Sequence, residues 1–177
     1  MELLSIASGS SGNCYYIGNE ETHLLVDAGV SGKKIETALN EIDRKPSDLN
    51  GILVTHEHID HVKGLGVMAR KHGIPIYTTG GTISEIKKMS SVGTIDDSLF
   101  HEIEPDEPFF INDLSIDASA IWHDAADPVC YSISDGKSKF SIATDMGNFD
   151  DYVVNKLKNS DIMVIEANHD IRMLQAL

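Results

Sequence analysis

The residues best suited to chemistry lie in one short run of this 177-residue chain, residues 56–61, whose sequence is HEHIDH. Four of its side chains can bind a metal ion: His56, His58, Asp60 and His61. The chain has only 8 histidines and three of them fall here, so a chance enrichment of a polar loop is a weak explanation. Imidazole and carboxylate groups are ligands for zinc and other divalent first-row metals. The run therefore predicts a metal site.

The spacing of this run suits two neighbouring ions. On an extended loop, positions i and i+2 point the same way, which would bring His56 and His58 together. Asp60 and His61 can turn toward an adjacent position as a helix starts. The run follows residues 51–54, a wholly apolar segment typical of a strand buried on both faces. Loops at strand ends are where α/β folds place their sites.

Other candidates are weaker when taken alone. A lone histidine such as His123 is more often structural than a ligand, and Asp145 after the apolar segment 140–143 could be an ordinary turn residue. His169 could be a turn residue, or it could line the cleft and protonate a leaving oxygen or hold a phosphate. The small-residue run SGSSGN at 8–13 could cradle a phosphate through its backbone N–H groups or be a plain turn.

The apolar rhythm predicts short strands and helices without repeats or low-complexity segments. Strands are predicted at 3–7, 14–17, 23–26, 51–54, 74–78, 99–103, 109–111, 114–121, 130–134, 140–143 and 162–165, the last of them buried. Helices are predicted from an N-cap at Ser31 through Ile42, at about 60–72, at 82–89 and at 152–157. Two strand-rich halves with helices outside predict an α/β architecture in layers.

Composition narrows the class of protein. The chain is 41% hydrophobic and 24% charged, which predicts one globular domain over residues 1–177. No apolar run approaches the roughly 20 residues of a membrane helix, and the first residues do not resemble a signal peptide, so we expect no membrane association and a cytoplasmic location. Cys14 and Cys130 are expected to be packing thiols. The net charge of −14 argues against a broad nucleic-acid-binding face, although two divalent ions in one cleft would reverse the local potential.

The motifs together resemble a known family. The HxHxDH run after ILVTH resembles the signature of the metallo-β-lactamase superfamily, and LLVDAG at 24–29 resembles its first motif. Five further segments resemble the YycJ/WalJ-like subfamily: SGSSGNC at 8–14, HVKG at 61–64, HDAADP at 123–128, TDMG at 144–147 and NHD at 168–170. The resemblance spans essentially the whole chain. It implies an αββα four-layer fold, a β-sandwich flanked by helices.

The resemblance also implies roles for individual residues. His56, His58 and His123 would hold a first metal ion, Asp60 and His61 a second, and Asp145 would bridge the two, with a hydroxide between them. Asp60 would also orient this nucleophile and accept its proton. Asp27 would hold the histidine loop in place by hydrogen bonding. Zinc is the expected metal, with manganese or iron as alternatives.

The implied activity is hydrolysis of phosphodiester bonds in DNA or RNA, as in an exonuclease, with nucleic acid as the partner. Three alternatives stay open because this fold hosts many reactions. The first is hydrolysis of a lactone, thioester or β-lactam by the same site. The second is a di-iron redox enzyme, although those carry a glutamate where this chain has His58. The third is a non-enzymatic module that keeps the metal for stability or for binding a partner.

The end of the chain departs from the family pattern. Family members continue well beyond this point, and a late histidine normally completes the second metal site. This chain stops at Leu177. We therefore expect a C-terminally truncated chain with an incomplete second site, which is inactive unless that site is completed, and a newly exposed surface that promotes self-association.

Overall fold

Two β-sheets form the centre of the computed structural model, which describes residues 1–166. The first sheet has the strand order β1-β2-β3-β4-β5-β6, with antiparallel pairing up to β3 and parallel pairing from β3 onward. Its strands are β1 Glu2–Ala7, β2 Cys14–Gly18, β3 His23–Val26, β4 Gly51–Leu53, β5 Ile76–Thr78 and β6 Phe100–Glu102.

The second sheet has the order β11-β10-β9-β8-β7, and only its β10–β11 pair is parallel. Its strands are β7 Phe109–Ile111, β8 Leu114–Ala120, β9 Val129–Ser134, β10 Lys139–Ala143 and β11 Ile162–Ile165. The helices are α1 Gly32–Glu41, α2 Ile59–Val62, α3 Leu65–His72, α4 Gly80–Lys88 and α5 Asp151–Leu157. No helix within residues 1–166 is long and apolar enough to cross a membrane.

The two sheets pack face to face with helices on both outer faces. Helices α1, α3 and α4 bury apolar side chains such as Leu39, Met68 and Ile86 against the outer face of the first sheet. Helix α5 packs through Val153 and Leu157 against the outer face of the second sheet. This is the four-layer αββα arrangement, so the predicted fold class is confirmed. The single domain over residues 1–177 stays a prediction.

Strand β2 shows why the centre of the first sheet is apolar on both faces. Successive side chains of a strand point to opposite faces. Tyr15 and Ile17 therefore face the second sheet, whereas Cys14 and Tyr16 face the helices, and all four are buried. Full burial of a large apolar side chain stabilises the fold by about 1.5–3 kcal/mol. Cys14 and Cys130 are free, buried thiols, as predicted.

The single helix predicted at about 60–72 is wrong, because the chain forms two helices, α2 and α3, separated at Lys63 and Gly64. The N–H of Gly64 donates to the carbonyl of Ala28 at 2.7 Å. A Cβ at position 64 would lie 2.2 Å from the carbonyl oxygen of Val30. The break therefore lets the chain approach the loop that follows β3.

Residues 162–165 form a strand as predicted, but the prediction that this strand is buried is wrong. Strand β11 is the last strand of the second sheet within the described residues, and it pairs only with β10. Ile162, Met163 and Ile165 are 42%, 41% and 49% exposed. An apolar run does not reveal which elements cover it: here only Val164 packs against the core between the sheets, and no described element covers the other side chains of this strand. Self-association through this surface stays a prediction.

Three loops are joined by backbone hydrogen bonds where β3 and β4 end. Asn13 N–H donates to the Asp60 carbonyl at 2.7 Å, and Gly29 N–H donates to the Asn13 carbonyl at 2.8 Å. Ala28 N–H donates to the His61 carbonyl at 2.8 Å. A Cβ at Gly29 would lie only 1.6 Å from the Asp60 carbonyl oxygen, so this crossing requires glycine.

We expect Gly29→Ala to lower the free energy of unfolding by about 3 kcal/mol or more, because backbone atoms must move to admit the Cβ. Urea unfolding followed by circular dichroism measures the change. Gly73→Ala is the matched control, because a Cβ there would meet open space and only the positive φ of 66° opposes it. We expect this change to cost about 1–2 kcal/mol. Equal losses for the two variants would contradict the close-packed crossing at Gly29.

Candidate metal centre

Four strands, two from each sheet, are followed by polar residues that lie at one end of the sandwich. Strands β3 and β4 are parallel, so both finish at this end. Strands β8 and β10 run in the same direction because each is antiparallel to β9. Val129 N–H donates to the Thr55 carbonyl at 3.0 Å and joins the two sheets here. The residues that follow these strands, Asp27, residues 55–61, His123 and Asp145, therefore lie together.

The first group of side chains consists of His56, His58 and His123, whose ligand atoms lie within 4.8 Å of one another. His123 Nε2 and His58 Nδ1 are 3.1 Å apart. Two nitrogens bound to one tetrahedral zinc stand roughly 3.3 Å apart, given a Zn–N distance of about 2.0–2.1 Å. The spacing of the two rings therefore fits a shared cation.

His56 provides a second sign that the group fits a cation. Its Nδ1 lies 3.0 Å from the Thr55 hydroxyl. Its Nε2 is buried and has no hydrogen-bond partner among the described residues. Buried polar atoms are almost always hydrogen-bonded. A buried ring nitrogen without a hydrogen-bond partner, next to two other histidines, is therefore expected when that nitrogen serves as a metal ligand.

The second group consists of His56, His61 and Asp145, again with ligand atoms within 4.8 Å of one another. His61 Nε2 is 3.0 Å from Asp145 Oδ2 and 3.6 Å from Asp60 Oδ2. The two groups share His56, so they are neighbours. Asp60 lies beside His61 with its side chain 27% exposed, which leaves it accessible from the cleft.

Asp27 supports this arrangement by hydrogen bonds to Thr55 and His61. Its Oδ2 accepts a hydrogen bond from His61 Nδ1–H at 2.8 Å, and its Oδ1 accepts one from Thr55 N–H at 2.8 Å. The Thr55 hydroxyl also donates to this carboxylate. Asp27, Thr55 and His61 are all buried. The hydrogen bonding predicted for Asp27 is therefore present, and it leaves His61 Nε2 facing Asp145 and Asp60.

Burial and charge set the protonation of these groups. Burial, reinforced by the neighbouring histidines, lowers the pKa of His56 to about 2, so its ring is neutral. Burial alone would lower the pKa of His61, but the Asp27 and Asp145 carboxylates outweigh it and raise the pKa to about 10. Burial acts to raise the pKa of Asp145, yet His61 holds that pKa well below its usual range. His61 must lose a proton before it can act as a ligand.

Three supporting residues were not predicted as individual site residues, although Asn13 belongs to the SGSSGN run at 8–13. Asn13 Nδ2 lies 3.1 Å from His61 Nε2. Glu57 Oε1 accepts a hydrogen bond from Ala126 N–H at 2.8 Å and so fastens the loop that carries His123. Glu166 Oε2 accepts one from Asp145 N–H at 2.8 Å. Glu57 lies inside the HEHIDH run, but nothing in the sequence pairs any of these residues with its partner.

The structure thus brings together the predicted ligands His56, His58, His61, His123 and Asp145, with Asp60 beside them. Their binding of metal stays a prediction. His169, predicted as a turn residue or a cleft residue, lies outside the described residues.

Similar proteins were found by sequence. Exodeoxyribonuclease WalJ of Streptococcus pneumoniae is 41% identical over 171 residues, which cover 97% of this chain and 64% of that protein. Exodeoxyribonuclease YycJ of Bacillus anthracis is 37% identical over 170 residues, 96% of this chain and 64% of that protein. The chain therefore spans about two thirds of the length of these relatives.

Solved structures agree on the fold. The metallo-β-lactamase fold protein YhfI from Bacillus subtilis has a TM-score of 0.73 at 17% identity, covering 94% of this chain and 71% of that one. Zn²⁺-bound PqqB from Methylobacterium extorquens has a TM-score of 0.75 at 16% identity, and the match covers 93% of this chain and 63% of that one. The sequence model of the beta-lactamase superfamily domain matches residues 22–174. With this match over most of its length, the chain belongs to the beta-lactamase superfamily and has the metallo-β-lactamase fold.

Proposed function

We propose that this chain is the catalytic part of a metal-dependent phosphodiesterase that degrades DNA from its ends. The observation that carries the proposal is the pair of ligand groups sharing His56 at one end of the sandwich. The relatives named exodeoxyribonuclease in Streptococcus pneumoniae and Bacillus anthracis supply the substrate class. A cytoplasmic location, expected from the sequence, would give such an enzyme access to DNA.

The proposed ligands follow from the distances. His56, His58 and His123 would hold one divalent ion, and His61 with Asp60 the other. Asp145 belongs to the group of His56 and His61, and it would contact both ions as the family resemblance implies. The mixture of imidazole and carboxylate ligands favours zinc, with manganese or iron as alternatives. Divalent ions bound at such a site acidify water and polarise phosphoryl oxygens.

Asp60 is the proposed proton acceptor of the reaction. Its backbone carbonyl is fixed by the Asn13 N–H, and its carboxylate is partly exposed to the cleft. A carboxylate held at this place can orient an attacking water and take up its proton. For His169 we keep the proposal of a group that protonates the leaving oxygen or holds a phosphate.

The overall charge constrains the substrate that the site can take. With a net charge of −14, the chain repels nucleic acid at long range. A long duplex footprint is therefore disfavoured, and the end of a strand that reaches only the cleft is favoured. This preference agrees with action from an end of the DNA.

Protein purified without chelator should contain two divalent ions per chain by elemental mass spectrometry, with His61, Asp60 and Asp145 holding the second ion in place of the late histidine that family members normally supply. His58→Ala should lose one ion, because it removes a nitrogen from the first group. His101→Ala is the matched control: this histidine is exposed and stacks on Tyr77, so its loss should leave the metal content unchanged. One ion or none in the wild-type chain would contradict the two-ion proposal.

The metal-loaded chain should shorten end-labelled DNA, and chelator should stop the reaction until metal is restored. Asp60→Ala should reduce the rate about 10²–10⁴-fold while the protein stays folded, because a positioned proton acceptor contributes that much. Asp97→Ala, a change at an exposed aspartate that pairs with Lys87, is the control. Full turnover by Asp60→Ala would refute this role, and hydrolysis of carbonyl esters but not of DNA would refute the substrate class.

Asp27→Asn should weaken binding of the second ion about 10–100-fold, the usual effect of losing a hydrogen-bonded support behind a metal ligand. The first group should lose less affinity, because Asp27 reaches it only through Thr55, whose hydroxyl lies 3.0 Å from His56 Nδ1. Titration against a competing chelator dye separates the two affinities. Asp113→Asn serves as control, since Asp113 also accepts a threonine hydroxyl hydrogen bond but lies elsewhere. Equal affinity in Asp27→Asn and wild type would contradict the support role.

A further inference from the structure

The loop before β2 carries a buried side-chain amide into the candidate metal centre. Asn13 is only 2% exposed. Within residues 1–166, the hydrogen-bond neighbour of its Nδ2 is His61 Nε2, at 3.1 Å. This nitrogen of His61 also faces Asp145, at 3.0 Å. An amide donor therefore points to the second ligand group, beside His61 and Asp145.

Other hydrogen bonds fix the direction of this amide. Asn13 Oδ1 accepts the N–H of Gly9 at 3.0 Å, and the buried Tyr15 hydroxyl lies 3.5 Å from the same oxygen. The backbone N–H and carbonyl of Asn13 are used by Asp60 and Gly29. The oxygen of the amide is thus held on the loop side, and its NH₂ group is left on the side of the metal centre.

His61 can accept from Asn13 only through an Nε2 lone pair. Nδ1 carries a proton, because its partner Asp27 is a carboxylate that can only accept. As a metal ligand, His61 would commit its Nε2 lone pair to the ion. The Asn13 amide would then need another acceptor, since a buried donor without one is unfavourable. An anionic oxygen in the cleft is the acceptor that the proposed substrate would provide.

We propose that Asn13 is a substrate-binding residue whose Nδ2–H donates a hydrogen bond to a phosphoryl oxygen of the DNA. The inference rests on the proposed function and adds to it a neutral donor beside the metal ligands. It also gives the SGSSGN run a role through a side chain, in place of the backbone cradle that the sequence suggested. A donor aimed at developing negative charge is a common catalytic device.

The sharpest test is Asn13→Asp, which keeps the shape and the carbonyl-side acceptor but removes the donor. Asn13→Ala removes both, and Ser10→Ala on the exposed part of the same loop is the control. Metal content is measured first, and then the binding of inorganic phosphate to the metal-loaded chain by calorimetry. We expect unchanged metal content, a 10–100-fold loss of phosphate affinity in Asn13→Ala and a larger loss in Asn13→Asp, with Ser10→Ala like wild type.

Several outcomes would overturn the proposal. Wild-type phosphate affinity in both Asn13 variants would show that the amide does not contact the anion. Loss of metal along with phosphate would make Asn13 a support for His61 only. Absence of phosphate binding by the metal-loaded wild type would leave no anion for the amide to bind. If Asn13→Ala does not fold, Asn13→Asp answers the same question.

A second readout separates this inference from the proposed function. On DNA, the Asn13 variants should lose mainly kcat, about 10²–10³-fold, if the hydrogen bond strengthens in the transition state. A wild-type chain that binds phosphate through Asn13 but never cuts DNA would refute the proposed function and leave the anion-binding role intact. A wild-type chain that cuts DNA as fast as its Asn13 variants would refute the role of Asn13 alone.

Discussion

The buried carboxylate of Asp27 is the constraint on which the rest of the site depends. A carboxylate fully removed from water is costly unless hydrogen bonds satisfy its oxygens. Thr55 supplies its N–H and hydroxyl, and His61 supplies Nδ1–H. Satisfying Asp27 therefore fixes the start of the HEHIDH loop and the ring of His61 at once. The Thr55 hydroxyl also lies against His56, so one buried charge positions residues of both ligand groups.

Backbone conformation contributes to the same end. Asp27 and Asp145 have φ angles of 60° and 56°, in the left-handed region that few non-glycine residues adopt. Each follows a strand, β3 in one sheet and β10 in the other, and each turns its carboxylate toward His61. Such conformations persist where surrounding contacts impose them. Glu166 supplies one such contact by accepting the N–H of Asp145.

The sequence predicted what depends on local pattern and missed what depends on distant partners. The HEHIDH run stood out because residue type, i, i+2 spacing and a preceding buried strand agree within the eleven residues 51–61. The break at Gly64 was missed because it depends on the carbonyls of Ala28 and Val30, more than thirty residues away. The reach of Asn13 to His61 spans 48 positions, and no periodicity encodes it. Strand β11 was predicted to be buried because an apolar run does not show what covers it.

The charge of the chain connects metal and substrate. A chain of net charge −14 that also gathers the carboxylates of Asp27, Asp60 and Asp145 around His61 presents a poor surface for a phosphate. Cations bound at the proposed site would reverse that local potential, and screening over about 8–10 Å hides the more distant acidic residues. If the chain binds DNA as proposed, metal and DNA binding are thermodynamically coupled: each ligand must raise the affinity for the other by the same factor. The acidic composition is then compatible with the proposed nuclease activity, and recognition of the substrate would depend on a loaded metal centre.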